Sequence, residues 1–228
     1  MPSRMDAYTE KQRGIYYNAF RQPMAQPELQ LTGANPPADS GLLLILRYPD
    51  ALTRLLAQAS STIGNVIPAI PYSADNLHTT LATGSKLTQS TENEANALEI
   101  QVNNWFMNHA LPLAQTRLDS ISITFTDWLF NSNTLIAASK ANAGFWQLAE
   151  QLVDSANRAD IALSMPWGSH ITVSRFLAEQ QSADSIRATV RDLAPLPWTP
   201  VSPCGVELVR FHCDARGFRF FRREDWSC

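Results

Sequence analysis

The chain is poor in cysteine, histidine and net charge, and it has no long apolar run. Its three cysteines, Cys204, Cys213 and Cys228, crowd one end in an odd number. That excludes a disulfide framework, and no CxxC pair is present for zinc or redox chemistry. A reducing compartment is the expected home. No apolar stretch approaches the about 18 residues that a membrane span needs. The first residues lack the apolar centre of a secretion signal. A cytoplasmic protein with no membrane partner is therefore expected. The net charge of −3 excludes a surface that coats long nucleic acid throughout. It leaves room for a local basic pocket, because the field acting on a small phosphate ligand is local.

What is present is apolar substance: 45% of the 228 residues, enough for one sizeable core and too much for a disordered chain. Residues 1–40 are polar with scattered aromatics and four prolines in "QPMAQPELQLTGANPPADS". A short helix is expected over 6–20, and the stretch to residue 40 reads as an extension packed on a domain spanning 41–228. "GLLLILRYP", 41–49, suits a strand buried on both faces. "DALTRLLAQASSTIG" follows as a helix, with Asp50 as its expected cap. A helix is expected from Glu92 to a stop at Pro112, with His109 close to its end. Residues 118–139 alternate and return around "NSN", the signature of a hairpin. Two further helices, "ANAGFWQLAEQLVDSANRA" and "SADSIRATVRDLA", precede two closing strands, "CGVELVRFHCD" and "FRFFRRED".

Two stretches carry chemistry: "NLHTTLATG", with His78 and Thr80, and "SHITVSRF", with His170 and Thr172. In a strand, residues i and i+2 share a face, so each histidine shares its face with a threonine. Each motif follows a loop with a proline-aromatic pair, Pro71-Tyr72 or Pro166-Trp167, and each precedes a helix. The order strand, helix, His strand, helix is followed by hairpin, helix, His strand, helix. This repeat predicts an α+β fold of two pseudo-symmetric lobes, each an antiparallel sheet with helices on its outer face, around a central cleft.

Two imidazoles and two hydroxyls converging on one cleft suit phosphoryl chemistry. With ordinary pKa values of about 6.5, one histidine takes a proton while the other gives one. Threonine hydroxyls donate to non-bridging phosphate oxygens. No nucleophile motif supports acyl transfer, and third and fourth zinc ligands are not evident. No metal or cofactor is expected.

The paired H-x-T motifs resemble those of the two-histidine (2H) phosphoesterase superfamily, which includes LigT-like 2′-5′ RNA ligases and cyclic phosphodiesterases. The resemblance runs from about residue 41 to 223. Where the family has an apolar residue between His and Thr, Ile171 agrees and Thr79 departs. The resemblance implies a metal-independent phosphodiesterase acting on 2′,3′-cyclic phosphates or 2′-5′ linkages in nucleotides or short RNA. It implies His78 and His170 as general acid and base, with Thr80 and Thr172 on phosphate oxygens. Two other readings stay open: a nucleotide- or RNA-end-binding protein without turnover, and a reversible 2′-5′ RNA ligase. A monomer is the expected state.

Other residues are candidates for binding substrate. Tyr72 and Trp167, in the loops before the motifs, offer faces for base stacking. Phe176 lies at even spacing from His170 and is expected on its face. Arg175, at odd spacing, faces away unless a bulge intervenes; with one, it reaches phosphate. Arg216, Arg219, Arg222 and Arg223 read as a charged edge strand. His109 and His212 read as structural.

Overall fold

The computed structural model describes residues 4–25, 28–31, 39–87, 91–177, 180–214 and 217–222. Helix α1 (Arg4–Ala25) and the short β1 (Glu28–Gln30) precede β2 (Asp39–Arg47), α2 (Asp50–Gly64), β3 (Ala69–Pro71) and β4 (Thr79–Lys86). Helix α3 (Glu92–Trp105) then runs through a π-helical turn, Phe106–Ala110, into α4 (Leu111–Arg117). A 3-10 turn, Leu118–Ser120, leads to β5 (Ile123–Phe130), β6 (Thr134–Ala141) and α5 (Ala143–Arg158). The chain continues through β7 (Ile171–Phe176), β8 (Gln180–Ser182), α6 (Ala183–Arg191), β9 (Gly205–Asp214) and β10 (Gly217–Arg222).

The mixed α+β class is as the sequence implies, but the strands of the two repeats share one sheet instead of forming one each. Seven of them run in the order β10-β9-β2-β4-β7-β6-β5, and β3 pairs with β7 as the eighth. All of these pairings are antiparallel. The joint at the middle is narrow: β4 and β7 pair at one position, Thr79 opposite Ile171. β1 and β8 form a separate two-stranded sheet.

The apolar run of β2 is buried on both faces, which explains its lack of alternation. Leu42, Leu44 and Leu46 enter the main core. Leu43 and Ile45 join Val209 in a smaller cluster on the other face. The main core takes in the apolar sides of α2 and α5, where Leu56, Ile63, Phe145 and Leu152 are fully enclosed. Each such side chain contributes about 1.5–3 kcal/mol on burial. With these helices on one face, the other is free to carry a cavity.

Helix ends follow local chemistry. Thr91 and Glu94 form a reciprocal capping box on α3, Asn142 caps α5, and Ser182 caps α6. Asp50 does not cap α2. Pro49 occupies that position without a side-chain bond, and Asp50 sits in the first turn. Pro112 does not stop a helix either, because the π turn lets it fall in the opening turn of α4, where no donor is needed. His109 lies exposed in that π turn. Helix α1 is longer than expected and packs on β5 and α5. Among the described residues no helix is long and apolar enough to cross a membrane.

Candidate active site

His78 and His170 each sit one residue before a strand, β4 and β7. Those strands meet at Thr79 opposite Ile171. Continuing that register one residue each way aligns His78 with Thr172 and Thr80 with His170. The side chains of Thr79 and Ile171 turn to the core and are fully buried. By the two-residue period of extended chain, His78, Thr80, His170 and Thr172 turn to the opposite face. All four line one cavity of about 400 Å³, within the range of small-ligand sites. The duplicated motif thus becomes one site through a single antiparallel pair.

Both strands bulge just beyond the motif. Leu81 has no partner on β2, where the register passes from Thr80 to Ala82. Val173 has none on β6, where it passes from Thr172 to Ser174. An extra residue reverses the alternation. The second bulge therefore turns Arg175 into the cavity and sends Phe176 into the core, where it is fully buried. This corrects the expected face of Phe176, which does not line the cavity. Thr83 reaches the cavity by the matching bulge on β4.

Arg175 donates from Nε to the Tyr72 hydroxyl at 2.8 Å, and its guanidinium lies 5.7 Å from the Phe218 ring centre. Among the described residues no carboxylate pairs with it. Tyr72 is buried, and its ring stacks on Phe218 at 5.1 Å. That face is occupied, so Tyr72 is not an open platform for a base. Its burial pushes the phenol up to about 12, and it stays protonated. Trp167 is different: it lines the same cavity and is 67% exposed.

His78 packs against two phenylalanines of β10, which also meet each other edge-on at 5.2 Å. Its ring stacks on Phe218 at 6.1 Å and meets the edge of Phe220 at 4.9 Å. Asn76 ties this wall down, donating from its side chain to the Phe218 carbonyl at 2.6 Å. The Asn76 carbonyl, 2.7 Å from His78 Nδ1, can only accept. His78 Nδ1 therefore carries the proton and Nε2 the lone pair. His170 Nδ1 is buried without a partner among the described residues. Burial pushes both imidazoles down to about 4. For His78 the Asn76 carbonyl opposes this, while Arg47, His170 and Arg175 add to it.

Other residues complete the lining. Lys86 pairs with Asp39 at 2.9 Å, and both line the cavity with Phe211 and buried Cys213. His212 lies 3.4 Å from Asp214, and neither it nor His109 belongs to the lining. The Arg219 guanidinium also approaches Asp214, at 3.7 Å, and its side chain is mostly exposed. Arg216 and Arg223 lie outside the described residues, as does the side chain of Arg222. Among the described residues no three His, Cys, Asp or Glu side chains are grouped to hold a metal ion.

Sequence reasoning missed two groups at this site. Phe218 and Phe220 lie in a stretch read as a charged edge strand, and Gln12 in a short helix read as part of an extension. Only the pairing of β10 with β9 and the docking of α1 bring them close.

No protein-family model and no curated relative matches the chain. Solved structures do. A conserved protein of unknown function from Agrobacterium tumefaciens aligns with a TM-score of 0.50 at 8% identity, over 85% of this chain and 89% of that one. A crystal structure titled phosphoesterase aligns at 0.48 and 18% identity, over 81% of this chain and 95% of that one. LigT of E. coli, complexed with 3′-AMP, aligns at 0.46 and 19% identity, again over 81% and 95%. At 8% identity the first of these likenesses is one of fold.

Proposed function

We propose that the chain is a 2H-type phosphodiesterase that opens 2′,3′-cyclic phosphates or cleaves 2′-5′ linkages in nucleotides or short RNA. The observation that carries this reading is the Thr79–Ile171 pair, which turns both His-Thr couples onto one cavity face. Arg175 in the same lining, with no carboxylate in a salt bridge to it among the described residues, favours an anionic ligand. Exposed Trp167 at the same cavity favours one bearing a base.

In hydrolysis, Nε2 of His78 takes a proton from water as its oxygen bonds to phosphorus. The bond from phosphorus to the ribose oxygen breaks, and His170 gives that oxygen its proton. Thr80, Thr172 and Arg175 neutralise charge on the non-bridging oxygens. His78 is assigned the base because its neutral form is fixed with the lone pair on Nε2. His170 gains its proton when the phosphate anion enters, since a nearby negative charge favours imidazolium. With a 5′-hydroxyl in place of water, the same two proton transfers join its oxygen to phosphorus as the 3′ ribose oxygen leaves, which forms a 2′-5′ linkage, and the site works as a ligase.

The test is a panel of 2′,3′-cyclic nucleotides and 2′-5′ and 3′-5′ dinucleotides, with and without EDTA. We expect turnover of the first two classes, insensitive to EDTA. His78→Ala and His170→Ala should each lose at least about a hundredfold in rate. An aryl phosphodiester, whose leaving group needs no proton, should restore His170→Ala and not His78→Ala. Retention of full activity by both variants would end the proposal. Tight nucleotide binding without turnover in the wild type would favour the binding-protein reading.

A further inference from the structure

Helix α1 presents Tyr8, Gln12, Tyr16 and Ala19 along one side, three or four residues apart. Tyr8 stacks on Trp146 at 5.8 Å, and Ala19 is buried. Between them Gln12 is 5% exposed. Burying an amide is costly unless it is paired, and an apolar residue would anchor the helix at lower cost.

Every polar atom of that amide is engaged. Its Oε1 accepts from the backbone N–H of Ser169 at 2.8 Å and from the Ser169 hydroxyl at 3.2 Å. Its Nε2 donates to the Ser139 carbonyl at 3.0 Å. Four residues on, the Tyr16 hydroxyl accepts from the Ser139 N–H at 3.3 Å, and its ring meets His170 edge-on at 6.1 Å. Ser169 immediately precedes His170 and lies before β7 begins, so its N–H has no ladder partner. Gln12 supplies one. The fit is close: a Cβ on Gly168 would lie 2.8 Å from Gln12 Oε1, which explains the glycine. The segment that aims His170 is thus held by a helix outside the part of the chain that carries the repeat.

We propose that Gln12 and Tyr16 are positioning residues for His170, so that helix α1 is part of the machinery of the site. This rests on the reading of His170 as an acid-base group. Neither residue lines the cavity, and both act through the Gly168–His170 segment.

Gln12→Met keeps the unbranched shape and removes all three hydrogen bonds. Tyr16→Leu removes the ring edge and the hydroxyl. In the full chain we expect kcat of Gln12→Met to fall by about ten- to a hundredfold, the scale of a misplaced catalytic group, with KM within about twofold. Ring resonances of His170 in carbon-proton NMR spectra should move, and those of His78 should not. Tyr16→Leu should act in the same direction and decides the matter if Gln12→Met does not fold. A folded variant with wild-type kcat and an unmoved His170 signal overturns the proposal. If the wild type turns over no phosphodiester, the catalytic reading fails by itself. The NMR comparison still shows whether α1 holds His170 in place.

Discussion

The hydroxyl of Thr79 donates to the carbonyl of Ser169 at 3.1 Å. The residue between His78 and Thr80 is therefore bonded to the residue before His170. Having spent its proton there, Thr79 Oγ1 accepts from the Tyr48 hydroxyl at 2.8 Å. Burial pushes the Tyr48 phenol well above its ordinary range, which keeps it a donor. Thr79 faces the core, yet it couples one motif to the other. That gives its departure from an apolar residue a physical reason.

Thr79→Val tests the coupling. Valine fills the same space but leaves the buried Ser169 carbonyl and the Tyr48 hydroxyl each short of a partner. A loss of about 1–3 kcal/mol is expected, measured by urea denaturation. The rate on the best substrate should fall as well, because the His170 segment loosens. A variant as stable and as active as wild type would show that the bond couples nothing.

The limits of the sequence are visible in the same residues. The two-residue period put His78 with Thr80 and His170 with Thr172, and the repeat put both couples on one cavity. The period failed at Phe176, because a bulge depends on the partner strand and Val173 carries no local sign of one. The short helix expected over 6–20 contains Gln12, but nothing near it in sequence marks it as buried. What makes Gln12 a buried partner is an unpaired N–H far along the chain. Tyr72 was legible as an aromatic near the site. Its occupied face belongs to the packing of β10, and its bond to Arg175 to the bulge in β7.

Arg175 should govern phosphate affinity. Arg175→Ala removes a charged donor from the cavity, an effect of about 1.5–3 kcal/mol, or about ten- to over a hundredfold in Kd for inorganic phosphate by calorimetry. Tyr72→Phe removes only the hydroxyl that holds Nε and should weaken binding several-fold in the same direction. Unchanged phosphate affinity in Arg175→Ala would remove Arg175 from the ligand site.

Trp167 should govern recognition of the base. Because its side chain is largely exposed, Trp167→Ala should leave the unfolding midpoint nearly unchanged. Loss of one stacked base is worth about 1–3 kcal/mol. KM for a cyclic nucleotide should therefore rise about five- to a hundredfold, while affinity for inorganic phosphate stays the same. An equal loss for both ligands would mean that Trp167 shapes the cavity and does not stack.

The two histidines should make the fold sensitive to acid. In the unfolded chain each imidazole takes up a proton as pH falls through about 6.5. In the folded chain burial delays this to about 4. Between those values the unfolded state binds more protons, so stability is full above about 6.5 and declines as pH falls toward 4. For His78, which is 7% exposed, the decline is on the order of 3 kcal/mol. Urea denaturation at pH 7 and pH 4.5 measures it, and His78→Gln should flatten the profile. Inorganic phosphate in the cavity should raise both histidine pKa values, because its charge favours imidazolium. Histidine titration by NMR, with and without phosphate, reads that shift directly. If phosphate moves neither imidazole, the anion does not bind between them, and His170 has no source for the proton that the proposed mechanism asks of it.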